Sequence, residues 1–383
     1  MAYDFDTIID RRCSDSEKWR CYGPEVLPLW VADMDFAAPE PVLHALRERI
    51  DHGVLGYGVD SIRLREVFVE RLWNRYGWRV TPEDLVMMPG IISGFNVACR
   101  AIASPGEGVL IQSPVYTPIL RAAANSRLAR QEMELTLGPD GRYTVDYQAF
   151  EGAMSGSTRL FLLCSPHNPV GRVFERAELE RMAEICDRHD VVICSDEIHC
   201  DLLLSGHRHI PVASLAPEIA ARTITLMAPS KTYNIAGLHA SIAVITDPGL
   251  RSKFRAARRD LVPSIDILGL VAAIAAYSEG EPWLHACLRY LEANLDYLEG
   301  FVAQRLPGVT FYRPEGTYLA WLDCRRAKIP GNPHEFFLRE ARVALNDGSA
   351  FGRGGEGFVR LNFACPRSLL AEGLERMERA LAR

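Results

Sequence analysis

Short apolar runs alternate with amphipathic segments through the first two-thirds of the chain. The runs at 85–88, 108–112, 158–164, 191–195, 222–227 and 241–246 are rich in branched residues, which predicts strands. Helical patterns lie between most of them: Leu179, Met182, Ala183 and Cys186 repeat at i, i+3, i+4 and i+7. Strands that are continuously apolar are buried on both faces, so the alternation predicts a mainly parallel sheet covered by helices on each side. Beyond about Asp247 the pattern changes to long helices, then strand-like 309–312, 317–322 and 358–363, then a helix from Ser368. That predicts a second, smaller α+β domain. The first 40 or so residues have no periodicity and carry prolines through LPLWVADMDFAAPEP, as expected of an extended arm crossing between domains or subunits.

Composition narrows the class. The 383 residues are 48% hydrophobic and 24% charged, with 43 Lys and Arg against 49 Asp and Glu, a net charge of −6. This is ordinary globular usage, and it lacks the concentrated basic face that nucleic-acid binding needs. The basic group Arg251, Lys253, Arg255, Arg258 and Arg259 reads as the solvated side of a helix. The segment MAYDFDTIIDRR has acids where an export signal needs a basic stretch and then an apolar one. The apolar run 267–277 is far short of the ~20 residues that span a bilayer. A soluble, cytoplasmic protein with no membrane partner is expected. Ten cysteines are scattered without a C-x-x-C, favouring reduced thiols, and Cys194, His199 and Cys200 match no zinc spacing, so no metal is expected. The segment Gly352 to Gly357 fits G-x-G-x-x-G but precedes a strand, which makes it a loop and no dinucleotide fingerprint.

Three polar segments fall just past predicted strand ends, where an open α/β sheet places its ligand. They are SPHNPVG from Ser165, SDEIH from Ser195 and APSKTYN from Ala228, and they converge Asn168, Asp196 and Lys231. Taken with WVADMDF in the arm, SPHNPVGR, SDEIHCDL, APSKTYNIAGL and VRLNFACP near the end, the chain resembles fold-type I pyridoxal phosphate enzymes of the class I and II aminotransferase superfamily. Within it, the motifs are similar to those of the bacterial cystathionine β-lyase branch, the carbon–sulfur β-lyases. The resemblance spans nearly the whole chain. It implies a large cofactor domain with a seven-stranded, mostly parallel sheet flanked by helices, plus a smaller α+β domain. The expected boundaries are an arm at 1–44, a large domain at 45–275 and a small domain at 276–383.

The resemblance also assigns roles. Lys231 forms the Schiff base with the cofactor and moves the substrate's α-proton. Asp196 pairs with the pyridine nitrogen, although an Asp at a strand end is commonly just a cap. Asn168 donates to the ring phenolate, or is a turn asparagine before Pro169. His199 stands where aminotransferases place a tyrosine beside that phenolate, and packing alone also accounts for it. Tyr116 stacks on the ring or serves as a core aromatic. Gly90, Ile91 and Ile92 offer backbone N–H groups to the phosphate at a helix N-terminus, and Ser230 adds a hydroxyl. Tyr57, in GYG, reaches the phosphate from the neighbouring subunit of a homodimer, or is a turn tyrosine. Arg360, apolar-flanked on a strand, holds the substrate α-carboxylate or bridges a protein carboxylate. Many aminotransferases carry an arginine eight residues after the lysine as a phosphate anchor; here that position is His239.

The expected activity is α,β-elimination from cystathionine or another S-substituted cysteine, giving thiol, pyruvate and ammonia. Transamination shares the first steps, so an aminotransferase is the alternative, and a pyridoxal-phosphate-binding regulatory protein is a third reading.

Overall fold

The computed structural model describes residues 3–204 and 206–383. Seven strands form the main sheet: β1 (Leu85–Met88), β2 (Gly108–Ser113), β3 (Ala129–Glu134), β4 (Thr158–Cys164), β5 (Val192–Asp196), β6 (Thr223–Met227) and β7 (Ser241–Val244). Their order across the sheet is β1-β7-β6-β5-β4-β2-β3. Only β7 runs against its neighbours; every other adjacent pair is parallel. The central strands are buried along nearly their whole length, which is why their sequences read as mostly apolar runs.

One strand lacked that signal. β3, Ala-Arg-Gln-Glu-Met-Glu, lies at the sheet edge with only Met133 buried, so it needs no apolar run and is held by its parallel ladder to β2. Helices cover both faces. The helix Ile91–Ile102 packs so closely that a Cβ on Gly94 would come 3.0 Å from the Leu226 side chain on β6. The basic group lies on and just after the helix Pro248–Arg258, but Arg251 is not simply solvated. Its guanidinium pairs with Asp84 at 3.0 Å and donates to the Ile245 and Thr246 carbonyls, fastening the helix to the end of the sheet.

The smaller unit is an antiparallel sheet of β8 (Thr310–Phe311), β9 (Leu319–Asp323), β10 (Asn346–Asp347) and β11 (Phe358–Asn362), ordered β8-β9-β11-β10. The long helices Glu281–Arg305 and Arg367–Leu381 pack with it. The Gly352–Gly357 segment is a loop leading into β11. We propose a division into an arm at 1–44, a large domain at 45–275 and a small domain at 276–383; its two boundaries fall inside the helices Glu40–Asp51 and Ile267–Glu279. The arm contains one short helix, Glu17–Arg20, and pairs Leu27–Pro28 in parallel with Val343–Ala344. Lys18, fully buried, reaches Asp35 at 2.6 Å, and Arg11 bridges Asp33 and Asp35, so the arm folds on its own charges before crossing the site. Eight cysteines are buried, Cys13 and Cys21 are exposed, and all ten are free. No helix among the described residues is long and apolar enough to cross a membrane.

A buried charge cluster anchors the lysine-bearing turn Pro229–Thr232. Asp201 takes Arg71 and Arg75 at 2.9 Å each, the Tyr76 hydroxyl at 3.1 Å and the Thr232 hydroxyl at 3.0 Å. Burial alone would raise this carboxyl, but the two guanidinium groups outweigh it and hold it down at about 2. A carboxylate lowered on folding adds stability that is complete above its unfolded value of about 4 and is lost as pH falls toward about 2. Asp201→Asn should therefore cost about 3 to 5 kcal/mol near neutral pH, because it strands buried guanidinium charge. It should also make stability fall less steeply between pH ~4 and ~2. Urea melts across that range check both; an unchanged acid limb would contradict the assignment.

Candidate active site

The carboxyl ends of β4, β5 and β6 deliver the three polar segments to one cavity of about 340 Å³. Its walls include Asn168, Asp196, His199, Ser230, Lys231, Tyr116, Gly90, Ile91 and Ile92, so the structure brings together all but two of the expected site residues. Arg360 reaches the same place from β11 by bonding Asn168, whereas Tyr57 is fully exposed on a segment without regular structure and is not in the cavity of its own chain.

Asp196 ends β5 and is 4% exposed. Burial pushes its carboxyl up to about 7, opposed by the Ile198 N–H it accepts at 3.1 Å and by the nearby Lys231. Such a group calls for a cationic N–H partner, which a protonated pyridine nitrogen is. Lys231 is also desolvated, and burial lowers its amine to about 8, with Asp33 and Asp196 working the other way. Its Nζ donates to the Ala32 carbonyl at 2.6 Å. An amine so lowered gives up its proton far more readily than an ordinary lysine, as a nucleophile and base must.

Arg360 is 4% exposed, and no salt-bridge carboxylate faces it among the described residues. Its partners are the Asn168 side-chain oxygen at 2.9 Å, the Trp30 carbonyl at 2.9 Å and the Asn346 side-chain oxygen at 2.5 Å. Its Nε has no partner, and burial lowers its pKa to about 10. A buried cation held only by neutral oxygens suits an incoming carboxylate. Because Arg360 occupies the Asn168 oxygen, that residue's NH₂ is the group left for a phenolate. His199 is buried, pushed down to about 3 mainly by desolvation, and therefore neutral; its Nδ1 has no partner and its ring meets Tyr318 edge-on at 6.1 Å. Gly90 precedes the helix Ile91–Ile102 at φ 148°, a conformation open to glycine alone, and starts that helix against the cavity with its first N–H groups unpaired by the helix itself.

Desolvated Asp196 and Lys231, the orphaned His199 nitrogen, and neutral donors at the far end fit pyridoxal phosphate. Asp196 would hold the ring nitrogen, Asn168 the phenolate, Tyr116 a ring face, and Gly90, Ile91, Ile92 and Ser230 the phosphate.

The arm supplies what the motifs alone did not reveal. Its carbonyls form a strap over the cavity, accepting in turn from Arg360 (Trp30), Asn362 (Val31 and Asp33), Lys231 and Tyr318 (Ala32), and Asn234 (Met34). Asn234 belongs to the large domain, Asn362 and Tyr318 to the small one. Backbone acceptors have no side-chain signature, so Ala32 is silent in sequence. Tyr318, in GTYLAW, carries no pattern distinguishing it from a core aromatic.

The family model for Aminotransferase class I and II matches residues 24–377. Cystathionine beta-lyase PatB of Bacillus subtilis (strain 168) is 39% identical, over 99% of this chain and 100% of its own. The crystal structure of OvoB is 45% identical with a TM-score of 0.95, covering 99% of each chain. Cystalysin from Treponema denticola, a structure that contains pyridoxal 5'-phosphate, is 35% identical with a TM-score of 0.95, covering 100% of this chain and 99% of that one. Agreement in sheet, site and motif over almost the full length leaves one placement: the chain belongs to the aminotransferase class I and II family, in the branch that holds the bacterial cystathionine beta-lyases.

Proposed function

We propose that the protein is a pyridoxal-phosphate-dependent carbon–sulfur β-lyase that converts cystathionine or another S-substituted cysteine to a thiol, pyruvate and ammonia. The observation that carries this reading is the pairing of a desolvated Lys231, its amine lowered to about 8, with a buried Arg360 lacking any protein carboxylate, in one cavity. Together they hold an amino acid by its carboxylate and reach its α-proton. Its similarity to PatB and cystalysin supports the sulfur chemistry.

The bound cofactor supplies an electron sink that makes the substrate's α-proton acidic. Arg360 holds the α-carboxylate bidentately, which fixes the α-carbon relative to Lys231. The Lys231 amine takes the α-proton, and its low pKa keeps it available as a base. The Cβ–S electron pair leaves with sulfur as a thiolate, and the proton that Lys231 has taken is available to it. The aminoacrylate left behind takes up water and yields pyruvate and ammonia. The strap of arm carbonyls covers the cavity and limits water during these steps.

The reading includes a homodimer with shared sites, acting in the cytoplasm. Ile50, Val54, Leu55, Val59 and Ile62 are all more than half exposed around Tyr57, an apolar stretch that one protomer leaves uncovered. A second subunit would cover it and take Tyr57 to its phosphate.

Three outcomes follow. Cystathionine without added keto acid should give thiol and pyruvate in equal amounts over many cycles. A single turnover that resumes only with keto acid would assign the protein as an aminotransferase instead. Arg360→Ala should weaken amino-acid binding by about 10- to 150-fold, the loss of about 1.5 to 3 kcal/mol, and leave cofactor binding intact. Spectral titration reads both, and an unchanged amino-acid response in a folded, loaded variant would make Arg360 structural. Mixing Tyr57→Phe with Lys231→Ala subunits should regenerate one unlesioned site per heterodimer. Activity no higher than either parent, despite proven exchange, would place Tyr57 within its own chain.

A further inference from the structure

Resting on the cofactor reading above, we propose that His239 is the cationic phosphate anchor of this site, replacing the arginine that stands eight residues after the lysine in many relatives. His239 lines the cavity with Gly90, Ile91, Ile92, Ser93 and Ser230, the group that would receive the phosphate. It follows the turn Ala236–Leu238 in a left-handed conformation, φ 46° and ψ 48°, which side chains other than glycine adopt at a cost. His239 is exposed in its own chain, and its ring has no hydrogen-bond or ion-pair partner among the described residues.

Charge balance points to the same residue. The ionisable groups lining the cavity are Tyr116, Cys164, Asp196, His199, Lys231 and His239. Burial keeps Tyr116 and Cys164 protonated and His199 neutral. Asp196 repels a phosphate, and Lys231 is committed to the cofactor's aldehyde carbon. Ser230 and the N–H groups of the helix Ile91–Ile102 are neutral donors. Of the lining groups, only His239 can bring a positive charge to a dianion at that end. The helix Ile267–Glu279 packs on the turn, with Gly269 against the Leu238 carbonyl, and its capping Asp266 is occupied by the Leu268 and Gly269 N–H groups. The first turn of that helix carries no charged residue, and Lys231 is the charge on the neighbouring turn Pro229–Thr232.

The test compares wild type, His239→Gln and His239→Arg holoenzymes, with no substrate present. Cofactor retention is followed by absorbance after dilution into excess inorganic phosphate. Parallel titrations use pyridoxal, which lacks the phosphate. His239→Gln should hold pyridoxal phosphate roughly 10-fold less tightly than wild type. His239→Arg should hold it at least as tightly as wild type, and pyridoxal should bind all three alike. Equal retention by wild type and His239→Gln would overturn the proposal, as would equal losses for pyridoxal and its phosphate. Retention is read without turnover, so failure to release thiol from S-alkyl cysteines would sink the lyase reading and leave this one standing. A wild type that binds neither form overturns both.

Discussion

Charge withdrawn from water without a full counter-charge is the constraint around which this protein is arranged. Arg360 is buried against neutral oxygens, Asp196 against one N–H, and Lys231, half-buried, rests on a backbone carbonyl. Each is shifted from its ordinary value chiefly by desolvation, to about 10, 8 and 7. Such groups cost free energy to bury, and on the proposed reading that cost would fall when a carboxylate, an aldehyde carbon and a pyridinium nitrogen meet them.

The scaffold must be rigid to keep such groups in place, and the rigidity comes from elsewhere. Apolar strands buried on both faces fix the ends of β4, β5 and β6, from which Asn168, Asp196 and Lys231 project. Behind Lys231, Asp201 joins the lysine turn to the helix Ile62–Tyr76 through Thr232, Arg71 and Arg75. Unlike the site charges, this carboxylate is fully paired, so burial there produces anchoring and no reactivity. A similar contrast holds between Arg251, satisfied by Asp84 and two carbonyls, and Arg360, left without an anion.

The arm closes the construction. Its successive carbonyls between Trp30 and Met34 are shared between side chains of both domains, so the position of one domain against the other is registered on a single strap of backbone. The strap is itself held by Arg11 and Lys18 on Asp33 and Asp35. A lysine that rests on Ala32 is thereby tied to the same segment that receives Arg360 and Asn362.

Much of this was legible in the residues themselves. Strands buried on both faces must be apolar throughout, so β1, β2, β4, β5, β6 and β7 announced themselves, and ligand chemistry at their ends followed from the polar segments after them. Edge strand β3 did not, because half of it faces water and its polar alternation has no distinctive period. Asn168, Asp196, Lys231 and Arg360 could be named from motif and flanking pattern, since their chemistry resides in their side chains. Three things awaited the tertiary structure: the strap, whose working atoms are backbone carbonyls identical in every residue; Tyr318, set over Ala32 by packing of the small domain; and the choice between a salt bridge and a free cation at Arg360. Sequence specifies which groups a chain carries, but burial and pairing are properties of what surrounds each group, and those neighbours come from segments hundreds of residues apart.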